Sequence, residues 1–168
     1  PTDLVVTEID PPASARSGEP VSISWSVTNQ SGEPATGSWS DTAYLSRDAT
    51  WDLSDVPLGR ASFSGTLDEN DSYTLSIDTL MPPATPGDYR VIVRTDIFNQ
   101  VYEAEFDANN RSASADSLSV AVDRLFLDVP RDTTLSTGQS RLFQVTVPHD
   151  QTLRVSLSTD AEMAANEV

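Results

Sequence analysis

Clustered acidic side chains are the residues of this sequence best suited to do chemistry. Three of them, Asp48, Asp52 and Asp55, span eight residues of one polar segment. Carboxylate oxygens are ligands that calcium prefers, and backbone carbonyls can complete its six to eight positions. The spacing is not that of an EF-hand, because the central Gly and the terminal Glu are missing. We therefore predict a calcium site here, with the alternative that these Asp side chains only form local turns.

A second group of oxygen-bearing side chains lies in the long polar stretch from Thr95 to Ala115. The calcium ligands predicted there are Asp96, Asn99, Glu103, Asp107 and Asn109, with Glu105 and Asn110 beside them. The alternative is again structural, because Asp and Asn side chains cap tight turns and tolerate left-handed backbone. A shorter acidic loop, Asp68–Asp71, is predicted to be solvated, although it would contribute a ligand if it shares an end of the fold with the second group.

Other kinds of site have little support in the sequence. His149 is the only His and there is no Cys, which excludes an ordinary zinc site and a Cys nucleophile. No nucleophile elbow, phosphate loop or zincin motif occurs, so we expect no catalysis. We expect His149 to be an exposed turn residue. Trp39 and Trp51 are candidates for a sugar-stacking platform, with the alternative that Trp39 fills the core and Trp51 packs its own loop.

The charge balance restricts the partners. Twenty-six acidic residues face ten basic ones, all of them Arg, which gives a net charge of −16. Such a chain repels nucleic acid and anionic membrane surfaces, so we expect neither as a partner. No apolar run approaches the length that crosses a bilayer. The acidity alone is also explained by solubility or by adaptation to salt, so only local clustering of acids argues for a metal.

The elements that must position these residues are β-strands. Apolar residues alternate with polar ones in most of the chain, most clearly at Val21, Ile23, Trp25 and Val27. Seven such runs, separated by turn residues, predict an all-β, immunoglobulin-like seven-stranded antiparallel sandwich over residues 1–123. In that topology the two acidic groups lie at opposite ends and form separate sites. The predicted core residues are Trp25, Trp39, Tyr44, Phe63, Tyr89 and Val91.

A different pattern begins at residue 124. Strand-like runs at 143–148 and 153–157 predict a partial second β unit over residues 124–168. About 45 residues are too few for an independent sandwich, so we expect this unit to be incomplete and the chain to be a piece of a longer polypeptide. Its apolar strand faces are expected to dock on the first domain or to pair between copies of the chain.

Several segments of residues 1–123 resemble the CARDB family, the cell-adhesion-related domain found in bacteria. The opening Asp3-Leu4-Val5-Val6 is similar to the start of that family. Ser24-Trp25-Ser26-Val27-Thr28-Asn29 is similar to its strand and turn, although Ser31 stands where the family has Gly. Tyr44-Leu45-Ser46 with Asp48 resembles its third strand. The most specific similarity is in Thr95, Asp96, Asn99, Val101, Glu103, Asn109 and Asn110.

The resemblance implies a non-catalytic immunoglobulin-like domain of large surface and secreted proteins. Residues 124–168 resemble the start of a prepeptidase C-terminal-type domain, through Gly138 to Pro148 and through Ala164 to Glu167. We therefore expect a structural or adhesive module of an extracellular bacterial protein, stabilised by Ca²⁺. Its expected partners are neighbouring domains of the same chain and a cell-surface protein or polysaccharide. The alternative is a carbohydrate- or protein-binding accessory domain of a secreted protease or glycosidase.

Overall fold

The computed structural model describes residues 1–158 of the chain, and the regular secondary structure of these residues is almost entirely β-strand. One short 3-10 helix, Phe106–Asn109, interrupts the strands. In chain order the strands are β1 (Leu4–Asp10), β2 (Ser14–Arg16), β3 (Pro20–Asn29), β4 (Ala35–Ser46), β5 (Val56–Leu67), β6 (Ser72–Leu80), β7 (Gly87–Arg94), β8 (Arg111–Ala113), β9 (Leu118–Ala121), β10 (Asp123–Leu125) and β11 (Phe143–Val145).

Two sheets form the sandwich. The smaller sheet has the strand order β1-β3-β6, and the larger has the order β2-β9-β7-β4-β5, with β8 also paired to β7. All of these pairs are antiparallel except β2 with β9, which are parallel. The predicted all-β sandwich is therefore confirmed. β2 and β8 were not predicted, because three residues are too short to show an alternating pattern.

The core lies between the two sheets and follows the alternation of the strands. In β3 the inward positions are Val21, Ile23, Trp25 and Val27, all buried. Of the predicted core residues, Trp25, Trp39, Tyr89 and Val91 are buried as expected, and Phe63 packs half-buried against them. Tyr44 was wrongly placed.

Tyr44 lies on the opposite side of the larger sheet. Its neighbours Ala43 and Leu45 are buried in the core, and Tyr44 is only half-buried between them. The buried positions Trp39, Asp41, Ala43 and Leu45 keep a strict alternation, so Tyr44 has the opposite parity to Trp39 and faces outward. The register shift between Ala43 and Tyr44 leaves Leu58 of β5, not a residue of β4, without a partner. The Tyr44 ring instead meets Trp51 edge-on, with the ring centroids 5.9 Å apart.

Residues 123–158 form only one short parallel pair, between β10 and β11. The predicted strand at 143–148 shortens to three residues, and the predicted strand at 153–157 does not form. Most large apolar side chains there are exposed, since no second layer covers them. The similarity at Ala164 to Glu167 lies outside the described residues, and the boundary at residue 123 stays a prediction.

This segment contacts the first domain through ion pairs, and the predicted docking of its apolar strand faces stays a prediction. Asp123 pairs with Arg16 of β2 at 3.1 Å and also with Arg131 and Arg141. Arg141 reaches Glu19 as well, at 3.6 Å. These ion pairs hold the segment that follows β10 against the turn between β2 and β3.

Candidate functional site

The strand register fixes where each acidic group lies. Strands β4 and β7 are antiparallel, and Ser46 at the end of β4 pairs with Arg90 in the first half of β7. The loop after β4 therefore leaves the sheet near the start of β7, whereas Asp96 follows the other end of β7. The groups at Asp48–Asp55 and at Asp96–Asn109 therefore lie at opposite ends of the sandwich, as predicted. The acidic loop Asp68–Asp71 shares the end of the second group.

In the first group the carboxylates bond to their own loop. Asp48 Oδ1 accepts the Thr50 N–H at 2.7 Å, and Asp52 Oδ1 accepts the Ser54 N–H at 2.7 Å. Asp55 Oδ2 accepts the Asp52 N–H at 2.9 Å. Hydrogen bonds from the Ser54 hydroxyl and N–H lower the pKa of Asp52. These are the local turns that the sequence offered as the alternative to calcium.

In the second group Asp96 organises the loop that follows β7. Its two carboxylate oxygens accept the N–H groups of Gln100 and Val101, each at 2.8 Å. Asp96 and Asn99 have backbone φ angles of 40° and 49°, in the left-handed region that Asp and Asn tolerate best. Asp96 is only 1% exposed, so its carboxylate serves the loop rather than the solvent.

Glu103 joins the same loop to the first strand. Its Oε2 accepts the Leu4 N–H at 2.7 Å, and its Oε1 accepts the Asn110 Nδ2 at 2.7 Å. Burial raises the pKa of Glu103 to about 7, although the hydrogen bonds from Leu4 and Asn110 act to lower it. Asn109 Nδ2 donates to Asp3 at 2.9 Å, which adds a second link between this loop and the start of the chain.

The remaining candidate ligands face a small cavity of about 110 Å³. Asn99 and Asp107 line it together with Asp96, but so do Arg94 and Arg111. Two guanidinium groups beside the same cavity oppose the binding of a cation there. Within residues 1–158, no three His, Cys, Asp or Glu side chains converge in a way that would hold a metal ion.

One buried carboxylate escaped the sequence analysis. Asp41 on β4 is fully buried in the core between the two sheets. Its oxygens accept four hydrogen bonds, from Trp25 Nε1 at 2.9 Å, the Tyr73 hydroxyl at 2.8 Å, the Thr95 hydroxyl at 2.7 Å and the Asp96 N–H at 3.2 Å. Burial raises the pKa of Asp41, and these hydrogen bonds oppose the rise. The available signal was an acid at an inward position of an alternating strand.

The aromatic candidates do not form a sugar platform. Trp39 is fully buried and donates from Nε1 to the Tyr73 hydroxyl at 2.8 Å, so it fills the core as predicted and is not available to stack on a sugar. Trp51 packs on its own loop between Tyr44 and the Arg94 guanidinium. His149 is exposed beside Asp150, as predicted. No helix within residues 1–158 is long and apolar enough to cross a bilayer.

Comparison with known families bears on the whole first domain. The sequence pattern of the CARDB family matches residues 1–114. The chain belongs to the CARDB family. This membership places the domain among non-catalytic, adhesion-related modules and confirms the resemblance seen in the loop from Asp96 to Asn110. No curated protein matches the chain.

Solved structures are similar to this chain at low identity. The crystal structure of a CARDB domain from Pyrococcus furiosus in complex with di-metal ions is 19% identical, with a TM-score of 0.51, over 71% of this chain and 89% of that one. A solution structure of that CARDB domain is 20% identical, with a TM-score of 0.48, over 71% and 94%. A β-glucosidase from Listeria innocua is 16% identical, with a TM-score of 0.43, over 71% of this chain and 16% of the enzyme.

Replacing Asp41 should destabilise the domain strongly. Asp41→Ala leaves Trp25 Nε1 without an acceptor and leaves the Tyr73 and Thr95 hydroxyls only each other, 3.1 Å apart. We therefore expect a loss on the order of 3 kcal/mol in the free energy of unfolding. Urea denaturation followed by tryptophan fluorescence measures it. The matched control is Asp78→Ala on an exposed position of β6, which should change stability by less than about 0.5 kcal/mol. Equal stability of the two variants would contradict the role given to Asp41.

Glu103 should make stability depend on pH. The folded protein holds the Glu103 proton more tightly than the unfolded chain, so this contribution is complete below the ordinary pKa of 4.5 and is lost as the pH rises to about 7. In Glu103→Gln the Asn110 amide can turn and present its otherwise unpartnered Oδ1 to the new donor.

The wild type should therefore lose stability relative to Glu103→Gln across that range, by on the order of 2–3 kcal/mol. Thermal unfolding of both proteins at several pH values, in EDTA, measures the difference. The control is Glu105→Gln, which changes an exposed side chain two residues away and should show the same pH dependence of stability as the wild type. Parallel curves for wild type and Glu103→Gln would show that Glu103 titrates alike in the folded and unfolded chains.

Proposed function

We propose that this chain is a structural and adhesive module of a large extracellular protein and performs no catalysis itself. One observation carries the proposal. The buried carboxylates Asp41, Asp96 and Glu103 each accept two or more hydrogen bonds from the domain itself. Groups used in this way position the backbone, and they are not free to bind or transform a substrate.

The contacts of the Asp96–Asn110 loop support a role as a stiff spacer. Glu103 and Asn109 bond to Leu4 and Asp3 at the start of the chain, while the Asp41 network bonds to the beginning of the same loop. The first strand, the loop and the core are thus one connected unit. A domain connected in this way keeps its shape when it joins neighbouring domains of a longer chain.

The proposal includes bound Ca²⁺ at the acidic loops. The net charge of −16 favours cations, and clustered carboxylates repel one another until a divalent ion bridges them. The Pyrococcus furiosus CARDB domain was crystallised with di-metal ions, which makes divalent metals the first ligands to test. The loop with Asp48, Asp52 and Asp55 is the preferred place, because Asp48 and Asp52 are exposed and the Arg94 guanidinium contacts it only at Trp51. In the other group Asp96 is buried, and both Arg94 and Arg111 line the cavity.

Calcium should raise the melting temperature, and EDTA should lower it. At free calcium one hundred times the dissociation constant, linkage gives about 2.7 kcal/mol. Scanning calorimetry of wild type and of Asp52→Asn/Asp55→Asn, each with EDTA and with millimolar calcium, measures the shift. The control is Asp68→Asn/Asp71→Asn, which makes the same charge change at the opposite end. No shift in the wild type would remove calcium from the proposal and leave the structural role intact.

An extracellular location predicts that the domain is reachable from outside the cell. Antibodies raised against this chain should label intact cells of the source organism or detect the protein in the culture medium. The control is an antibody against a cytoplasmic protein, which should label only permeabilised cells. Recovery of the protein solely in the cytoplasmic fraction would contradict the proposed location.

A further inference from the structure

Three of the ten arginines form a row across the outer face of the larger sheet. Arg60 on β5 pairs in register with Thr42 on β4, Thr42 pairs with Arg94 on β7, and Arg94 pairs with Arg111 on β8. Side chains at directly opposed positions point to the same face of a sheet. The hydrogen bond from Arg60 Nε to the Thr42 hydroxyl, at 3.3 Å, confirms this shared face. We call Arg60, Arg94 and Arg111 the arginine row.

The arginine row is not neutralised by the protein. Although the chain has 26 acidic residues, none of those among residues 1–158 forms an ion pair with any arginine of the row. Arg94 and Arg111 are directly opposed on neighbouring strands, and like charges in that position destabilise a sheet. The arginines that do form ion pairs within residues 1–158 lie around Asp123; they are Arg16, Arg131 and Arg141. No ion pair within residues 1–158 therefore offsets the repulsion between Arg94 and Arg111.

Acidic residues lie on two sides of the row. Asp52 is exposed and follows Trp51, whose ring contacts Arg94. Asp96 and Asp107 line the cavity beside Arg94 and Arg111. The Asp96 carboxylate already accepts two backbone N–H groups, and it is buried. Only Asp107 is exposed there. Charges farther away act weakly on the row, because physiological salt screens exposed charges beyond about 8 Å.

Aromatic rings hold two of the guanidinium groups in place. The Arg94 guanidinium lies 4.0 Å from the centre of the Trp51 ring, and the Arg60 guanidinium lies 4.8 Å from the centre of the Phe98 ring. Stacking of this kind orients a planar cation before a ligand arrives. Phe98 is 57% exposed, so an apolar ring surface is available next to the positive charge.

We propose that the arginine row binds an acidic polysaccharide that lies across strands β5, β4, β7 and β8. The proposal rests on the adhesive function above and names its ligand class. Guanidinium groups bind carboxylate and sulfate groups through paired hydrogen bonds, and an exposed aromatic ring packs against the apolar face of a sugar. Four strands at about 4.8 Å spacing span about 15 Å, a length suited to an extended polymer.

Charge density favours an acidic polysaccharide over nucleic acid. DNA carries about one negative charge per 1.7 Å of helix, and its binding calls for many cationic contacts. Three arginines on a chain of net charge −16 supply too few. A polysaccharide with one acidic group per sugar or per two sugars offers the sparse charges that this row can match. A protein partner would need a complementary surface of about 800 Å², for which the flat row offers no apolar centre.

The test measures binding of the full chain to polygalacturonate by titration calorimetry in EDTA, which removes bridging by calcium. Neutral dextran and poly-glutamate are the comparison polymers. Wild type should bind polygalacturonate, and should bind dextran and poly-glutamate at least tenfold more weakly. Arg60→Gln/Arg111→Gln changes two exposed side chains of the row and should weaken binding at least tenfold.

The matched control is Arg124→Gln/Arg154→Gln, which removes the same charge at exposed positions outside the row and should retain wild-type binding. Circular dichroism establishes that both variants are folded. Equal losses in the two variants would show that net charge alone governs binding and would overturn the proposal. Equal binding of poly-glutamate and polygalacturonate would also overturn the proposal, because it would assign the row to an acidic protein. Absence of all binding would refute the row as a site, while the calcium and location tests would still judge the structural role.

Discussion

Much of this domain depends on a single buried carboxylate having enough donors around it. Asp41 enters the core on the larger sheet, and its partners Trp25 and Tyr73 come from β3 and β6 of the smaller sheet. A carboxylate removed from water is costly unless hydrogen bonds replace its hydration. The two sheets can meet that requirement in only one relative register, because any slip would separate the acceptor from its donors. The interaction therefore specifies the arrangement of the sandwich as well as stabilising it.

The same carboxylate connects the core to the loop that follows β7. Thr95 and Asp96 donate to Asp41 where β7 ends, and Asp96 then bonds to the backbone ahead of it. Glu103 continues the chain of contacts to Leu4. The polar residues shared with the CARDB family thus form one hydrogen-bonded path from the centre of the sandwich to its first strand. Their function in this protein is to determine a loop conformation that has little regular structure of its own.

The sequence predicted what depends on local periodicity and missed what depends on register. The alternation in β3 was enough to identify its buried face, and the turn residues separated the seven main strands. Tyr44 was misplaced because it was put on the same face as Trp39, although the two residues have opposite parity in β4. The run at 153–157 has the right composition for a strand, yet it lacks a partner strand within the described residues. The arginine row could not be seen, since residues 60, 94 and 111 become neighbours only through strand pairing.

The parallel pairing of β2 with β9 has a mechanical consequence. β2 lies near the start of the domain and β9 near the point where the chain leaves it, and three successive residues pair between them, with Ser14 opposite Ser119 and Arg16 opposite Ala121. If a longer polypeptide is pulled from both sides, these two strands slide along each other in opposite directions. The hydrogen bonds between β2 and β9 are then loaded in shear, so they share the force and must break together rather than one after another. A sandwich closed in this way resists tension applied along the chain.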